Sequence, residues 1–248
     1  MSHTLTDHAP EVEHLITEDD EPVDNIPSEK QQRLLTEPLY SSWQGPGEGR
    51  TFLAAANIGV FYLARNPAIA PDVLLSLDVE IAEDWWTKEH RSYFLWEFGK
   101  PPDVVIEIVS NKVGEEDGEK INKYARMRVG YYVIFDPQQL IGKETLRVYL
   151  LKGFKYTKHK GNYLPEIKLG LGLWEGDFEK TNNVWLRWTD ENGKIIPTGK
   201  ERADKEREEK DAALRLVEKE REEKEDALGR AERLAARLRE LGQDPDQI

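Results

Sequence analysis

The sequence predicts an α/β fold, a mixed central sheet flanked by helices and followed by a separate charged helix or coiled coil. Three observations predict it. Apolar, β-branched-rich runs recur at 73–80, 104–110 and 131–135, as buried strands do. Between the second and third lies a stretch at helical spacing, so strand, helix and strand imply a right-handed parallel crossover. Beyond residue 199 a 14-residue charged repeat takes the place of any core pattern.

Taken in order, residues 1–28 are acidic, poor in large apolar residues and broken by Pro10, Pro22 and Pro27. Such a segment lacks the area to offset ordering entropy and is expected to be a disordered tail. Ser28 to Leu35 reads as a short helix capped by Ser28 and ending before Pro38. A Gly/Pro/Ser loop follows at 41–49, and Thr51 to Leu63 suits either a helix leading to a strand or a strand pair. Strands are then expected at Val73–Glu80, Val104–Ser110, Tyr131–Phe135, Thr145–Leu150 and Lys155–Lys158, with a further one at Val184–Trp188. An acidic first turn (Glu115, Glu116, Asp117) opens the helix that carries Ile121, Tyr124 and Met127. Trp85, Trp86, Trp96, Trp174, Trp185 and Trp188 are read as packing residues. Residues 29–198 thus form the α/β domain, 199–242 the charged helix and 243–248 a tail.

In that last helix Glu206-Arg207-Glu208-Glu209-Lys210-Asp211 recurs as Glu220-Arg221-Glu222-Glu223-Lys224-Glu225, two heptads on. Ala213, Val217, Ala227, Ala231, Leu234, Leu238 and Leu241 fall on a 3-4 spacing, interrupted by Glu220 and Lys224. The register favours a left-handed coiled coil and hence a homodimer or other homo-oligomer. A single solvated helix held by i to i+4 pairs competes with it.

The totals exclude several classes. There is no cysteine, so disulfides, thiolate zinc sites and cysteine nucleophiles are out, and a reducing compartment fits. Three of the five His fall within the first 14 residues, leaving too few for a His-rich metal site. The first 30 residues hold nine acids and one Lys, the wrong charge for a secretion signal, and the cytoplasm is expected. The net charge of −13 is concentrated at the ends, and residues 31–199 carry only −2. Such a core permits a phosphate-binding cleft without predicting one.

Two acids stand where burial should forbid them. Asp72 precedes Val73-Leu74-Leu75, and Glu107 interrupts Val104-Val105-Ile106 and Ile108-Val109. An unpaired carboxylate there costs on the order of a few kcal/mol, so two of them suggest a shared cation. On adjacent strands they could hold Mg²⁺ or Mn²⁺ through hard oxygen ligands. Parity places Asp103, Val105, Glu107 and Val109 on one strand face and Val104, Ile106 and Ile108 on the other. Lys120, one turn into the following helix, is the best placed cation, with Lys112 and Lys123 as rivals. Each acid also has a plainer reading. Asp72 could cap a backbone N–H at a turn, and Glu107 could form a salt bridge with Lys120 or Lys123. Asp103, after Pro102, is read as ending a turn.

Pro71-Asp72-Val73, Arg91-Ser92-Tyr93, Trp96-Glu97, Gly99-Lys100-Pro101-Pro102-Asp103, Glu107-Ile108-Val109-Ser110, Asp117-Gly118-Glu119-Lys120, Tyr124 and Asp136-Pro137 together closely resemble the bacterial putative restriction endonuclease domain family of the PD-(D/E)XK nuclease superfamily. The resemblance covers roughly residues 30–190. It implies a restriction-endonuclease-like fold with the metal site at one edge of the sheet, and DNA as substrate. By position it assigns Asp72 and Glu107 as metal ligands, the carbonyl of Ile108 as the third, and Lys120 as the catalytic lysine moved onto a helix. The superfamily lysine two residues after Glu107 is absent, since Val109 stands there, and Arg128-Val129 replaces the family's Gly-Val pair. An acid of the first helix often completes such sites, and Glu29 or Glu37 would serve.

Two functions follow from these residues. One is a metal-dependent endonuclease cutting DNA by water attack at phosphorus. The other is a nuclease-fold protein without that activity, binding or scaffolding as an oligomer through its C-terminal helix.

Overall fold

The computed structural model describes residues 25–47, 49–64, 66–110 and 118–241. The expected acidic tail up to residue 24, the turn with Lys112, Glu115, Glu116 and Asp117, and the tail at 243–248 lie outside the described residues. Chain contacts divide the protein into two units, 1–198 and 199–248.

The first unit opens with α1 (Ile26–Ser41), which is longer at both ends than the sequence predicts. The cap is Asn25, whose Oδ1 accepts the Ser28 N–H at 3.0 Å. Pro38 sits inside the helix. A proline there removes one backbone bond and costs about 3 kcal/mol. Against that, Leu34, Leu35 and Leu39 are fully buried, and the N–H groups of Ser42 and Trp43 both reach the Pro38 carbonyl.

The strand-pair alternative for 51–63 is the one observed, as β1 (Phe52–Ala56) and β2 (Val60–Phe61). After β3 (Val73–Leu77), β4 (Tyr93–Phe94) and the single-turn helix α2 (Leu95–Phe98), the chain forms β5 (Val104–Ile108), α3 (Glu119–Met127) and β6 (Tyr131–Phe135). The strand from Val73 stops at Leu77, short of the expected Glu80, because Asp78 turns the backbone left-handed at φ 57°. β7 (Leu146–Lys152) and β8 (Lys155–Lys158) complete a six-stranded sheet in the order β1-β3-β5-β6-β7-β8. Within it only β5 and β6 run parallel, joined through α3, and the other neighbours are antiparallel.

A second sheet holds β9 (Tyr163–Leu164), β10 (Leu169–Phe178) and β11 (Thr181–Thr189). β10 is absent from the sequence reading. Its glycines carry little strand preference, yet Gly170 is required, because a Cβ there would lie 2.4 Å from Thr189 Oγ1. Its partner β11 extends beyond the expected Val184–Trp188 at both ends. α1 closes on β11 through polar bonds. The Gln31 side chain donates to the Leu186 carbonyl and accepts its N–H at 2.8 and 2.9 Å, and Trp188 Nε1 donates to the Leu35 carbonyl at 2.7 Å.

These layers give the six-stranded sheet two different faces. Val73, Leu75, Val104, Ile106, Ile108 and Val133 pack against α1 and the small sheet. Leu74, Val105, Val109 and Ile134 pack with Tyr124 and Met127 of α3. The protein is therefore a mixed α/β structure with the restriction-endonuclease-like arrangement of a central mixed sheet between helices. The second unit contains α4 (Gly199–Glu240), a 42-residue helix. Among the described residues no helix is long and apolar enough to cross a membrane.

The packing reading of the tryptophans holds for Trp185 and Trp188, which are buried. It fails for Trp85 and Trp86, which are 55% and 78% exposed. They rim an open hollow of about 370 Å³ floored by Leu53, Ile58, Tyr93 and Phe98. Their segment, Val79 to Arg91, has no regular strand to anchor it beyond the short 3-10 turn at Lys88–His90.

Candidate active site at the β3–β5 edge

The antiparallel register pairs Val73 with Ile106. Carried one residue further, it sets Asp72 opposite Glu107. Glu107 turns its side chain to α3, where Lys120 and Tyr124 meet it, whereas Asp72, just before β3, bonds to the Ile108 N–H and to Gln32 of α1. The parity expectation is met, since Ile106 and Ile108 fill one core and Val105 and Val109 the other.

Glu107 is 1% exposed and both its oxygens are engaged. Tyr124 OH donates to Oε1 at 2.6 Å and Lys120 Nζ donates to Oε2 at 2.7 Å. α3 brings both donors because Lys120 and Tyr124 stand four residues apart, on one helix face. Burial is the main cause that pushes the Glu107 carboxyl up to about 7, and the charge of Asp72 adds to it, while Lys120 pulls the other way. Burial and the Glu107 charge hold the Tyr124 hydroxyl well above its ordinary range, so it remains a donor.

Asp72 is held from two sides. Its Oδ2 accepts the Ile108 N–H at 2.6 Å, the backbone-capping role that a turn aspartate would have. Its Oδ1 accepts from Gln32 Nε2 of α1 at 3.3 Å, and Gln32 in turn exchanges bonds with Asn57 at 3.2 and 3.3 Å. The Asn57 N–H donates to the Asp72 carbonyl. Ile108 therefore bonds Asp72 through its N–H. An extended residue points N–H and C=O to the same strand edge, so its carbonyl faces the Asp72 side as well.

The other sequence-derived candidates separate from this group. Lys123 pairs with Glu119 at 3.3 Å. Glu29 binds Arg33, which also binds Glu179 at 2.5 Å, and Glu37 lies on the exposed side of α1. The residue that α1 sends to Asp72 is Gln32, not an acid. Asp103 anchors the start of β5, accepting from the Leu77 N–H at 2.7 Å and from Lys100 Nζ at 2.5 Å. Among the described residues no group of three or more His, Cys, Asp or Glu could hold a metal ion. Any cation here would have two carboxylates, a backbone carbonyl and non-protein oxygens for ligands.

Gln32, Asn57 and Tyr124 are the residues that sequence reasoning left without a role. Only Tyr124 carries a local signal, its i+4 spacing from Lys120. Gln32 and Asn57 meet Asp72 across 40 and 15 residues of chain.

Comparison with curated proteins and with solved structures finds no significant match. The family profile Uma2, described as "Putative restriction endonuclease", matches residues 18–173, which span α1 to the start of β10 and every residue of this site. The chain belongs to this family, within the PD-(D/E)XK superfamily.

Proposed function

We propose that the protein is a metal-dependent endonuclease that hydrolyses DNA phosphodiester bonds, with Asp72, Glu107 and the Ile108 carbonyl holding Mg²⁺ or Mn²⁺ and with Lys120 as the catalytic lysine. The observation that carries the reading is the apposition of two acidic residues across the β3–β5 register, one of them almost wholly buried. Membership of a nuclease family supports it independently.

The donor set suits a hard divalent ion, being carboxylate and carbonyl oxygen throughout. Burial above all, and the charge of Asp72 after it, raise the Glu107 carboxyl to about 7, and a cation beside it would offset both effects. Held by Asp72, Glu107 and the Ile108 carbonyl, such an ion would supply neutralisation of charge on the phosphate and a water of lowered pKa.

This chain's own residues supply the rest. The Ile108 N–H and the Gln32 amide fix the Asp72 carboxylate in place. Tyr124 fixes one oxygen of Glu107, leaving Oε2 and the Lys120 amine as the adjustable pair. Lys120 is 28% exposed, so its amine reaches both the buried carboxylate and the solvent side where a phosphate would lie. In that position it stabilises charge on the phosphate or orients the attacking water.

One observation favours the non-catalytic alternative. Lys120 already closes an ion pair with Glu107, and Val109 fills the superfamily's lysine slot as a buried core residue. Plasmid and oligonucleotide cleavage with Mg²⁺ and with Mn²⁺ separates the two readings, with Asp72→Asn as control. Cutting by the wild type and not by the variant is expected. Intact DNA with either metal would leave the ion pair as a structural element only.

A further inference from the structure

The charged helix carries information about orientation as well as association. α4 has no buried residue among its described positions, and Leu214, Val217, Leu228 and Leu234 are each more than half exposed. In heptad register Lys210 and Lys224 occupy the first seam position, with Val217 between them. Glu206 and Glu220 occupy the fourth, with Ala213 between them.

Charges off the seam pair along the helix, as Lys205 with Glu209 at 3.5 Å, Lys219 with Glu223 at 3.8 Å and Arg221 with Glu225 at 3.5 Å. Lys210, Glu220 and Lys224 make no ion pair among the described residues. Glu206, the fourth seam charge, pairs with Arg202 at 3.8 Å, so three of the four seam charges are left without an ion pair within one helix. Polar residues at such positions specify partner, register and orientation while lowering stability.

We propose that α4 pairs with α4 of a second copy of this chain, antiparallel and centred on residue 222, so that Lys224 faces the partner's Glu220. A parallel in-register pair would stack Glu206, Lys210, Glu220 and Lys224 each on its own copy, four like-charge layers. Antiparallel packing sets first against fourth seam positions, so none of the four meets its own kind. In this register residues 204–240 of the two helices overlap, and Lys224 and the partner's Glu220 form a central pair, repeated by symmetry. Lys210 and Glu206 then lie near the ends, beside leucines, where their long stems can extend the charge to water. The same register sets Leu214 against the partner's Leu228. Sliding by one 14-residue repeat would instead leave Leu234, Leu238 and Leu241 beyond the overlap, uncovered. The two chains enter such a pair from opposite ends, and a 42-residue helix is about 63 Å long.

The absence of cysteine makes the test clean. Single variants Glu208→Cys, Glu222→Cys and Ala236→Cys of the full chain, all on the outer face of the seam, are spin-labelled and their inter-label distances measured. At 1.5 Å per residue the proposal expects about 45 Å at 208, about 20 Å at 222 and about 45 Å at 236. Equal distances of about 20 Å at all three would show parallel pairing, a midpoint elsewhere than 222 would show another register, and no dipolar signal would show a monomer. Each overturns the proposal. Glu220→Lys adds a second readout. The substitution sets like charge against the partner's Lys224 and is expected to weaken dimerisation at least tenfold, with Glu220→Lys/Lys224→Glu restoring it. An unchanged dimer in the single variant is the parallel result and contradicts the assignment.

Discussion

On one face of β5, Val104, Ile106 and Ile108 join the apolar core that holds leucines of α1 and of the small sheet. On the other face Val105 and Val109 flank Glu107, which meets a lysine and a tyrosine of α3. The two faces belong to the same six consecutive residues, yet one lowers free energy by burial and the other gives back part of that gain to hold a carboxylate out of water. A carboxylate kept at that depth, opposite a second one, is what separates a chemical site from a packed strand. The comparison yields three expectations.

The largest is a division of labour between neighbouring residues. Ile106→Ala is expected to lower stability by about 2–5 kcal/mol in denaturant titration, as core truncations do. Glu107→Gln should leave the fold standing but reduce DNA cleavage by roughly 10²–10³-fold, the range for loss of a group that stabilises the transition state. A Glu107→Gln protein that cuts at the wild-type rate would make both faces structural.

Next is the dependence of stability on pH. The folded Glu107 carboxyl titrates near 7 against an ordinary 4.5, so between those values the native state binds the extra proton. Stability from this group is therefore present at low pH and lost as pH rises through 7, by about 3 kcal/mol in all. Thermal melts of the wild type should fall across that window, and Glu107→Gln should flatten the fall. Adding Mg²⁺ at pH 8 should recover stability in the wild type only. A melting temperature that rises from pH 5 to 7 in the wild type and in Glu107→Gln alike would mean that other groups govern the window.

The smallest concerns the end of α3. Arg128 holds φ 70°, a left-handed conformation that glycine adopts without strain. Its guanidinium recovers part of the cost by donating to the Gly153 carbonyl at 2.6 Å and by stacking over Phe154. Arg128→Gly is expected to raise stability by a few tenths to about 1 kcal/mol, with cleavage unchanged. A net loss of stability would show that the Gly153 and Phe154 contacts outweigh the backbone strain.

The sequence made the strands of the large sheet legible because Val, Ile and Tyr runs at 73, 104 and 131 leave few other choices. Parity along β5 also placed Glu107 on the correct face. β10 escaped because Gly170 and Gly172 lie close against Thr189 of β11 and Gly176 against the ring of Trp174, contacts that leave no strand pattern in the sequence. α1 ran past both its expected limits because three buried leucines outweighed Pro38. The Asp72 and Glu107 pair was legible as two acids in apolar runs, but Gln32 and Asn57 were not. A glutamine that reaches Asp72 from another layer has no pattern in its own neighbourhood.

The central claim is that Asp72 and Glu107 grip one divalent ion, and a crystal grown or soaked with Mn²⁺ and read by its anomalous signal tests it most directly. The account expects one peak ligated by a carboxylate oxygen of each acid and by the Ile108 carbonyl, with the Lys120 amine moved off Glu107 Oε2 toward the solvent side. An empty map with the Lys120 to Glu107 bond still at 2.7 Å, or a peak touching only one of the two acids, would contradict it.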